Sequence, residues 1–340
     1  MSLNILEKLW DRGKSFLNVQ YPILGGAMSW ISESNLVSAI SNAGGFGVIA
    51  GGNMPVELLE KEIEKTYEMT DKPFGVNLIS VAPNFRAHLD YVVESGFPYV
   101  IFAGGLPPRD AVSRAKRAGC KVICFAPTVG IAERLVKSGV DAIVIEGHEA
   151  GGHIGPVSTA VLAEQIIPVI KKVPVFVAGG IGSGIMMVHY LLMGAAGVQL
   201  GTKFAVADES PAHDNFKDYL VRASAKDALP TPQFDPRVPV IPVRALQNEG
   251  TKDFATLQLG LVAQLQREAI TPQEAFHKLE EFWLGGLRRA VIDGDIEGGS
   301  VMAGQSVGMV HERLPVAGMM EKLITEAQEE AERIMEQLSV

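Results

Sequence analysis

The chain has 340 residues, 47% hydrophobic and 20% charged, a globular composition that excludes disorder and fibrous repeats. A net charge of −9 with no basic block sets the long-range field against nucleic acid and anionic membrane, so neither is expected as a partner. No stretch reaches the roughly 18 uninterrupted apolar residues of a membrane span, the N-terminus (Glu7, Lys8, Asp11, Arg12) is too charged for a signal peptide, and two cysteines, Cys120 and Cys124, make no disulfide framework; a cytoplasmic protein is the expectation.

Residues 3–16 pattern as an N-terminal helix, expected to cover the bottom of the fold that follows. From Pro22 onward, short β-branched runs alternate with longer amphipathic stretches, the signature of parallel βαβ units. The runs at 22–26, 46–50, 74–78, 99–102, 122–125, 142–145, 175–178 and 198–200 predict eight strands. Helices are predicted between them, among others at 33–42, at 55–69 with Val56, Leu59 and Ile63 on one face, at 131–138 and at 159–171. Eight such repeats point to an α/β fold, a (β/α)8 or TIM barrel, with a doubly wound open sheet as the competitor.

After Gly201 the rhythm breaks. Residues 208–297 carry Pro230, Pro232, Pro236, Pro239 and Pro242 and then helical patterns at 254–266 and 272–290, which predicts an inserted small helical subdomain. The barrel is therefore assigned to 1–207 and 298–340, ending in a helix at 321–338 whose charged face reads as solvated surface.

The chemistry concentrates after the sixth strand. There Glu146-Gly-His-Glu-Ala-Gly-Gly-His-Ile-Gly155 packs two histidines and two carboxylates among glycines, at the end of a strand where barrels place their active face. His148, Glu149 and His153 resemble a zinc protease motif, but the histidines stand five apart instead of four with Gly151 and Gly152 between them, so a metal is not expected. A histidine without a metal transfers protons near neutral pH or orients a polar substrate group.

Ala178-Gly179-Gly180-Ile181-Gly182 and Gln199-Leu200-Gly201-Thr202-Lys203 follow the seventh and eighth strands, where barrels commonly bind phosphate through backbone N–H groups. Asn77, ending the third strand, and Ala27 and Met28, after the first, fall on the same face. Gly298-Gly-Ser-Val-Met-Ala-Gly-Gln305 is too polar and glycine-rich for core and is expected to bring backbone groups back toward a cofactor bound at that face.

Taken together, these stretches resemble the nitronate monooxygenase superfamily and, within it, the flavin-dependent enoyl-acyl carrier protein reductases of type II (FabK). The resemblance runs through Tyr21-Pro22-Ile23, residues 42–47, 72–77 and 149–155, Ala178 to Ile181, Val198 to Thr202 and residues 295–305. Glu-Ala-Gly-Gly-His is common to the superfamily, whereas Gly-Gly-Ser-Val-Met-Ala-Gly-Gln after Gly-Asp, and Ile154 instead of Arg after the loop histidine, resemble the reductase branch.

The resemblance implies flavin mononucleotide (FMN), held by Ala27, Met28, Asn77, Glu146, Gly151, Gly179, Gly180, Gly201, Thr202, Met302, Gly304 and Gln305, with His153 as the reactive-centre histidine. It implies NADH or NADPH as co-substrate and an enoyl thioester on acyl carrier protein as substrate, and it admits a homodimer. Arg109, Arg114, Lys116 and Arg117 are the candidate patch for that acidic carrier. Two departures stand out: Gly25-Gly26-Ala27-Met28 replaces the Gln-Gly-Gly-Met of those reductases, and the proline-rich stretch before Arg244 is longer. The alternatives are a nitronate monooxygenase, a nicotinamide:quinone reductase, or a flavin-binding protein without turnover.

Overall fold

The computed structural model describes residues 2–238 and 242–338, with side chains from residue 5 onward. Its strands are β1 (Ile23–Gly25), β2 (Gly47–Ala50), β3 (Phe74–Ile79), β4 (Tyr99–Ala103), β5 (Lys121–Phe125), β6 (Ala142–Glu146), β7 (Gly152–His153), β8 (Val175–Ala178), β9 (Gly197–Leu200), β10 (Ala228–Pro230) and β11 (Val243–Leu246). The helices through the first nine strands are α1 (Ser2–Leu17), α2 (Ser34–Asn42), α3 (Val56–Met69), α4 (Phe85–Glu94), α5 (Ala111–Arg117), α6 (Val129–Lys137), α7 (Thr159–Ile166), α8 (Gly184–Leu192) and α9 (Thr202–Ala205). They are followed by α10 (Asp214–Arg222), α11 (Glu249–Gln266), α12 (Pro272–Val291) and α13 (Val316–Leu338).

Eight strands run parallel in the order β1-β9-β8-β6-β5-β4-β3-β2. The ends meet: Gly25 N–H donates to Phe46 O and Phe46 N–H to Ile23 O, both at 2.9 Å, so β1 and the start of β2 close the sheet into the expected (β/α)8 barrel. All eight barrel strands coincide with those read from the sequence to within a residue or so. Because successive strand side chains alternate faces, one set fills the barrel (Leu24, Phe46, Val48, Tyr99, Ile101, Ile123, Val144 and Phe176) while the other packs outward against the helices.

Helix α1 plugs the bottom, as its sequence suggested. The Phe16 carbonyl accepts from Tyr99 Oη (3.0 Å) and Lys121 Nζ (2.7 Å) at the N-terminal ends of β4 and β5, and a Cβ at Gly13 would fall 1.9 Å from Ala196 O. At the other end of the chain, α13 packs on α8, α1 and α2 and completes the helical ring. Its charged face is not all solvated: Glu330 is buried, holding His189 (2.9 Å) and Arg333 (2.7 Å).

The excursion after β9 is more than helical. Strands β10 and β11 pair antiparallel, and β11 pairs in turn with β7 from the loop after β6. Two or three residues per strand, with prolines between, left no alternation for the sequence to display. Val238, Val243, Phe254, Leu261, Ala275, Leu279 and Trp283 form a small core of their own, whereas Phe216 and Leu220 of α10 and Ala290 and Val291 of α12 join the barrel's outer core. Within the proline-rich stretch, Phe234 N–H donates to the buried Gln258 amide at 2.9 Å, tying it to α11; Pro239 lies outside the described residues.

Candidate active site

At the mouth of the barrel the interior turns polar. Asn77 continues the inward row of β3 above Gly75 and is buried, its amide 3.5 Å from Ile101 O. Glu146 continues the inward row of β6 above Val144 and is half-buried. Burial pushes its carboxyl up to about 7, with the positive charge of His153 opposing the rise. Among the described residues no donor meets this carboxylate, so a half-buried polar group stands at the barrel mouth without a protein partner.

The loop after Glu146 is braced at each step. His148 Nδ1 lies 2.9 Å from Gly155 O; a carbonyl only accepts, so Nδ1 carries the hydrogen. The Glu149 carboxylate accepts from Thr159 N and Oγ1, both at 2.8 Å, and its backbone carbonyl accepts from Gln305 N at 2.9 Å. A Cβ on Gly151 would stand 2.6 Å from the Ala303 carbonyl carbon and the Gly304 nitrogen, so only glycine lets these two backbones touch. His153 then pairs with Val243, and Ile154 N–H donates to Pro242 O at 2.9 Å. Arg244, fully buried, donates from Nε (3.1 Å) and Nη2 (2.9 Å) to His148 O and from Nη1 to Ala228 O. His153 Nε2 lies 3.4 Å from Glu280 Oε1 of α12.

The turns after β8 and β9 close the other side. Gly179 and Gly180 sit at φ +95° and +77°, a left-handed conformation natural to glycine. The backbone N–H groups of Gly180, Gly201 and Thr202 donate to no backbone carbonyl among the described residues. Thr202 Oγ1 accepts from Gly304 N at 3.0 Å. A Cβ at Gly201 would reach within 3.6 Å of Met28 Sδ, and one at Gly152 within 3.6 Å of Met302 Sδ. Ala27 packs on the interior core of the barrel.

The structure thus links Met28, Gly201, Thr202, Gly304, Gln305, Gly151 and Met302 through direct approaches and sets Asn77 and Glu146 inside the mouth, with Gly179 and Gly180 on its rim. Of the basic residues singled out on the sequence, Arg114 pairs with Asp90 and Lys116 with Asp141, while Arg109 and Arg117 have no ion pair among the described residues. Arg244, Glu280 and the Glu149–Thr159 bond escaped the sequence reading. Arg244 left a trace, a lone charge inside Ile-Pro-Val-Arg-Ala-Leu; Glu280, beside Glu281 in a helical pattern, left none. No trio of His, Cys, Asp or Glu among the described residues is arranged to hold a metal ion, and no described helix is long and apolar enough to cross a membrane.

A closed parallel barrel with titratable and glycine-rich loops gathered at its strand C-termini defines an enzyme of the TIM-barrel class. The chain belongs to the nitronate monooxygenase family, whose sequence profile it matches over residues 11–85 and 79–326, and it is an oxidoreductase of that family. The solved structure of FabK from Thermotoga maritima superposes with a TM-score of 0.86 at 35% identity, covering 96% of this chain and 98% of that one. A Rhodococcus jostii protein, (3aS,4S,5R,7aS)-5-hydroxy-7a-methyl-1-oxo-octahydro-1H-indene-4-carboxyl-CoA dehydrogenase, is 36% identical over 210 residues, 61% of this chain and 58% of its own length. A probable nitronate monooxygenase of Staphylococcus aureus is 30% identical over 66% of this chain and 77% of its own length.

A flavin suits the residues present. Its isoalloxazine edge carries donors and acceptors that would suit Asn77 and a Glu146 with no donor beside it among the described residues, and its phosphate would suit backbone N–H groups of the kind found at Gly180, Gly201 and Thr202.

Proposed function

We propose that this chain is an FMN-dependent enoyl-acyl carrier protein reductase that uses NADH or NADPH to saturate the 2,3-double bond of enoyl thioesters in fatty acid synthesis. The likeness to FabK over nearly the whole chain supports this reading most. Residues 295–305, which resemble the reductase branch, add to it; their Ala303 and Gly304 lie against Gly151 and Thr202. The Rhodococcus relative, named for a carboxyl-CoA substrate, supports a thioester.

FMN, when bound, would supply hydride transfer between the reduced nicotinamide and the β-carbon. The chain supplies the rest. Glu146, Asn77 and the turns after β8 and β9 would hold the cofactor, and Met28 and Met302 would offer it polarisable apolar surface. His153, partly exposed on β7, provides the proton for the α-carbon and is recharged from water. Arg109, in the loop after β4 at the mouth end of the barrel, remains as a contact for an acidic carrier, whose approach the overall charge of −9 opposes, whereas Arg117 closes α5 at the opposite end.

The test is anaerobic stopped-flow on the FMN-loaded protein. Reduced with a nicotinamide and mixed with a crotonyl thioester, it should reoxidise at a rate set by thioester concentration. Reduction followed by reoxidation with quinone but no thioester would overturn the proposal in favour of a quinone reductase. The family and the Staphylococcus relative favour a second reading, a nitronate monooxygenase; it requires turnover of a nitronate with oxygen and without nicotinamide.

A further inference from the structure

We propose that Glu280 is a positioning residue for His153: its carboxylate accepts from Nε2–H across the gap between α12 and β7, fixing the imidazole so that Nδ1 is the nitrogen that delivers the proton. The inference rests on the reading of His153 as proton donor in the proposed reaction.

Three independent elements hold the pair. First, β7 is too short to be stiff alone, but its register with β11 places His153 opposite Val243, and directly opposed residues share a face of the sheet. Second, Val243 is a member of the small core made with Phe254, Ala275, Leu279 and Trp283, so that face is turned toward α11 and α12. Third, α12 is fixed at its start by the reciprocal Thr271–Glu274 capping bonds and along its length by Leu279 and Trp283, the latter stacked 4.2 Å from Phe254. Glu280 follows Leu279 directly and emerges at the edge of this packing, with Oε1 3.4 Å from His153 Nε2.

The chemistry follows from that contact. A carboxylate only accepts, so its partner nitrogen is a donor and Nε2 carries hydrogen in both charge states of the ring. The proton that leaves must then come from Nδ1, which makes no hydrogen bond among the described residues. After transfer the ring remains as the neutral Nε2–H tautomer, still bonded to Glu280, and Nδ1 regains a proton from water, to which the side chain is 45% exposed. The other carboxylate acting on His153 is Glu146, from inside the barrel. Arg244, next to Val243 on β11, lies on the opposite face with its donors committed to His148 O and Ala228 O. Both members of the pair keep contact with water, so its strength is modest and its contribution is orientation.

The test uses FMN-loaded protein labelled with 15N-histidine, at about pH 8.5 where imidazoles are largely neutral, with the His153 signal assigned by its loss in His153→Gln. Long-range 15N–1H spectra distinguish the two tautomers. Wild type and Glu280→Gln, whose amide oxygen still accepts, should both show the Nε2–H form. Glu280→Ala should show a mixture, together with a fall in kcat for thioester reduction of about 3- to 10-fold, at little changed KM and unchanged FMN occupancy. An Nδ1–H form in the wild type, or the same tautomer in Glu280→Ala, would overturn the assignment. A wild type inert toward enoyl thioesters, with the tautomers as expected, would instead dismiss the reductase reading and leave the Glu280–His153 pairing in place.

Discussion

Thr202 Oγ1 accepts a hydrogen bond from Gly304 N at 3.0 Å, joining the turn after β9 to the segment that returns 102 residues later. Thr202 is buried and the amide has no other acceptor among the described residues, so removing the hydroxyl strands a buried donor. Thr202→Val, nearly isosteric, should cost about 1–3 kcal/mol of stability and weaken FMN binding, because the same turn offers the free N–H groups. Thr202→Ser should retain most of both. Urea unfolding of the cofactor-free protein and an FMN fluorescence titration read the two effects separately.

Gly151 makes the second tie to that returning segment. An alanine there places its Cβ 2.6 Å from two backbone atoms, Ala303 C and Gly304 N, neither of which can swing aside as a side-chain end does. Overpacking of this kind costs about 1–3 kcal/mol, and the displaced 303–305 backbone should carry Gln305 off the Glu149 carbonyl. Gly155→Ala, four residues on in the same loop, meets nothing within 4 Å and should be silent. Thermal melts of the two variants provide the comparison; equal melting temperatures would remove the proposed contact.

How much of this was legible in the sequence depends on the range of the interaction. Strand–helix alternation is local, so the barrel and its strands emerged almost residue by residue, and so did the glycine turns and the histidine loop. The β7–β11 pairing was not legible, because a two-residue strand such as Gly152–His153 has no period and exists only through Val243 and Arg244 far along the chain. The role of Glu330 was hidden for the same reason: inside an acidic helix it reads as solvated, and only the approach of α8 buries it beside His189. Glu280 is a third case, distinguished from Glu281 by where α12 comes to rest.

Arg244 braces the histidine loop with three bonds to backbone carbonyls, and burial lowers the pKa of its guanidinium while the charge of Glu149 partly offsets this. A buried cation with no hydrogen-bonded carboxylate is costly to keep, so its value lies in fixing His148 and hence the start of β7. Arg244→Met removes the desolvation cost but leaves the carbonyls of His148 and Ala228 without their donor, so it should lose the brace at a cost of about 1–3 kcal/mol. Amide exchange at residues 148–154 should quicken at least 10-fold, about 1.4 kcal/mol of local protection, while the barrel strands are unaffected. Arg244→Lys, with one compact donor in place of a fork, should fall between. Unchanged exchange in the loop would show that the β7–β11 ladder suffices without the side chain.

Glu146 gives a dependence on pH whose sign is fixed by its burial. Its carboxyl is held up to about 7, against an ordinary 4.5, so the folded state binds this proton more tightly than the unfolded chain. Below the ordinary value both states are protonated and the site costs nothing; as pH rises toward 7 the unfolded chain is favoured by ionising first, and above 7 the penalty is complete. At 1.36 kcal/mol per pH unit the gap amounts to roughly 3 kcal/mol, and partial contact with water reduces it to about 1–2 kcal/mol. Glu146→Gln, neutral throughout, should therefore melt higher than wild type at pH 8 and level with it at pH 4, measured on cofactor-free protein. A difference in melting temperature that stays constant between those pH values would mean that the carboxyl ionises normally in the barrel mouth, and that a cofactor binding there meets a full negative charge.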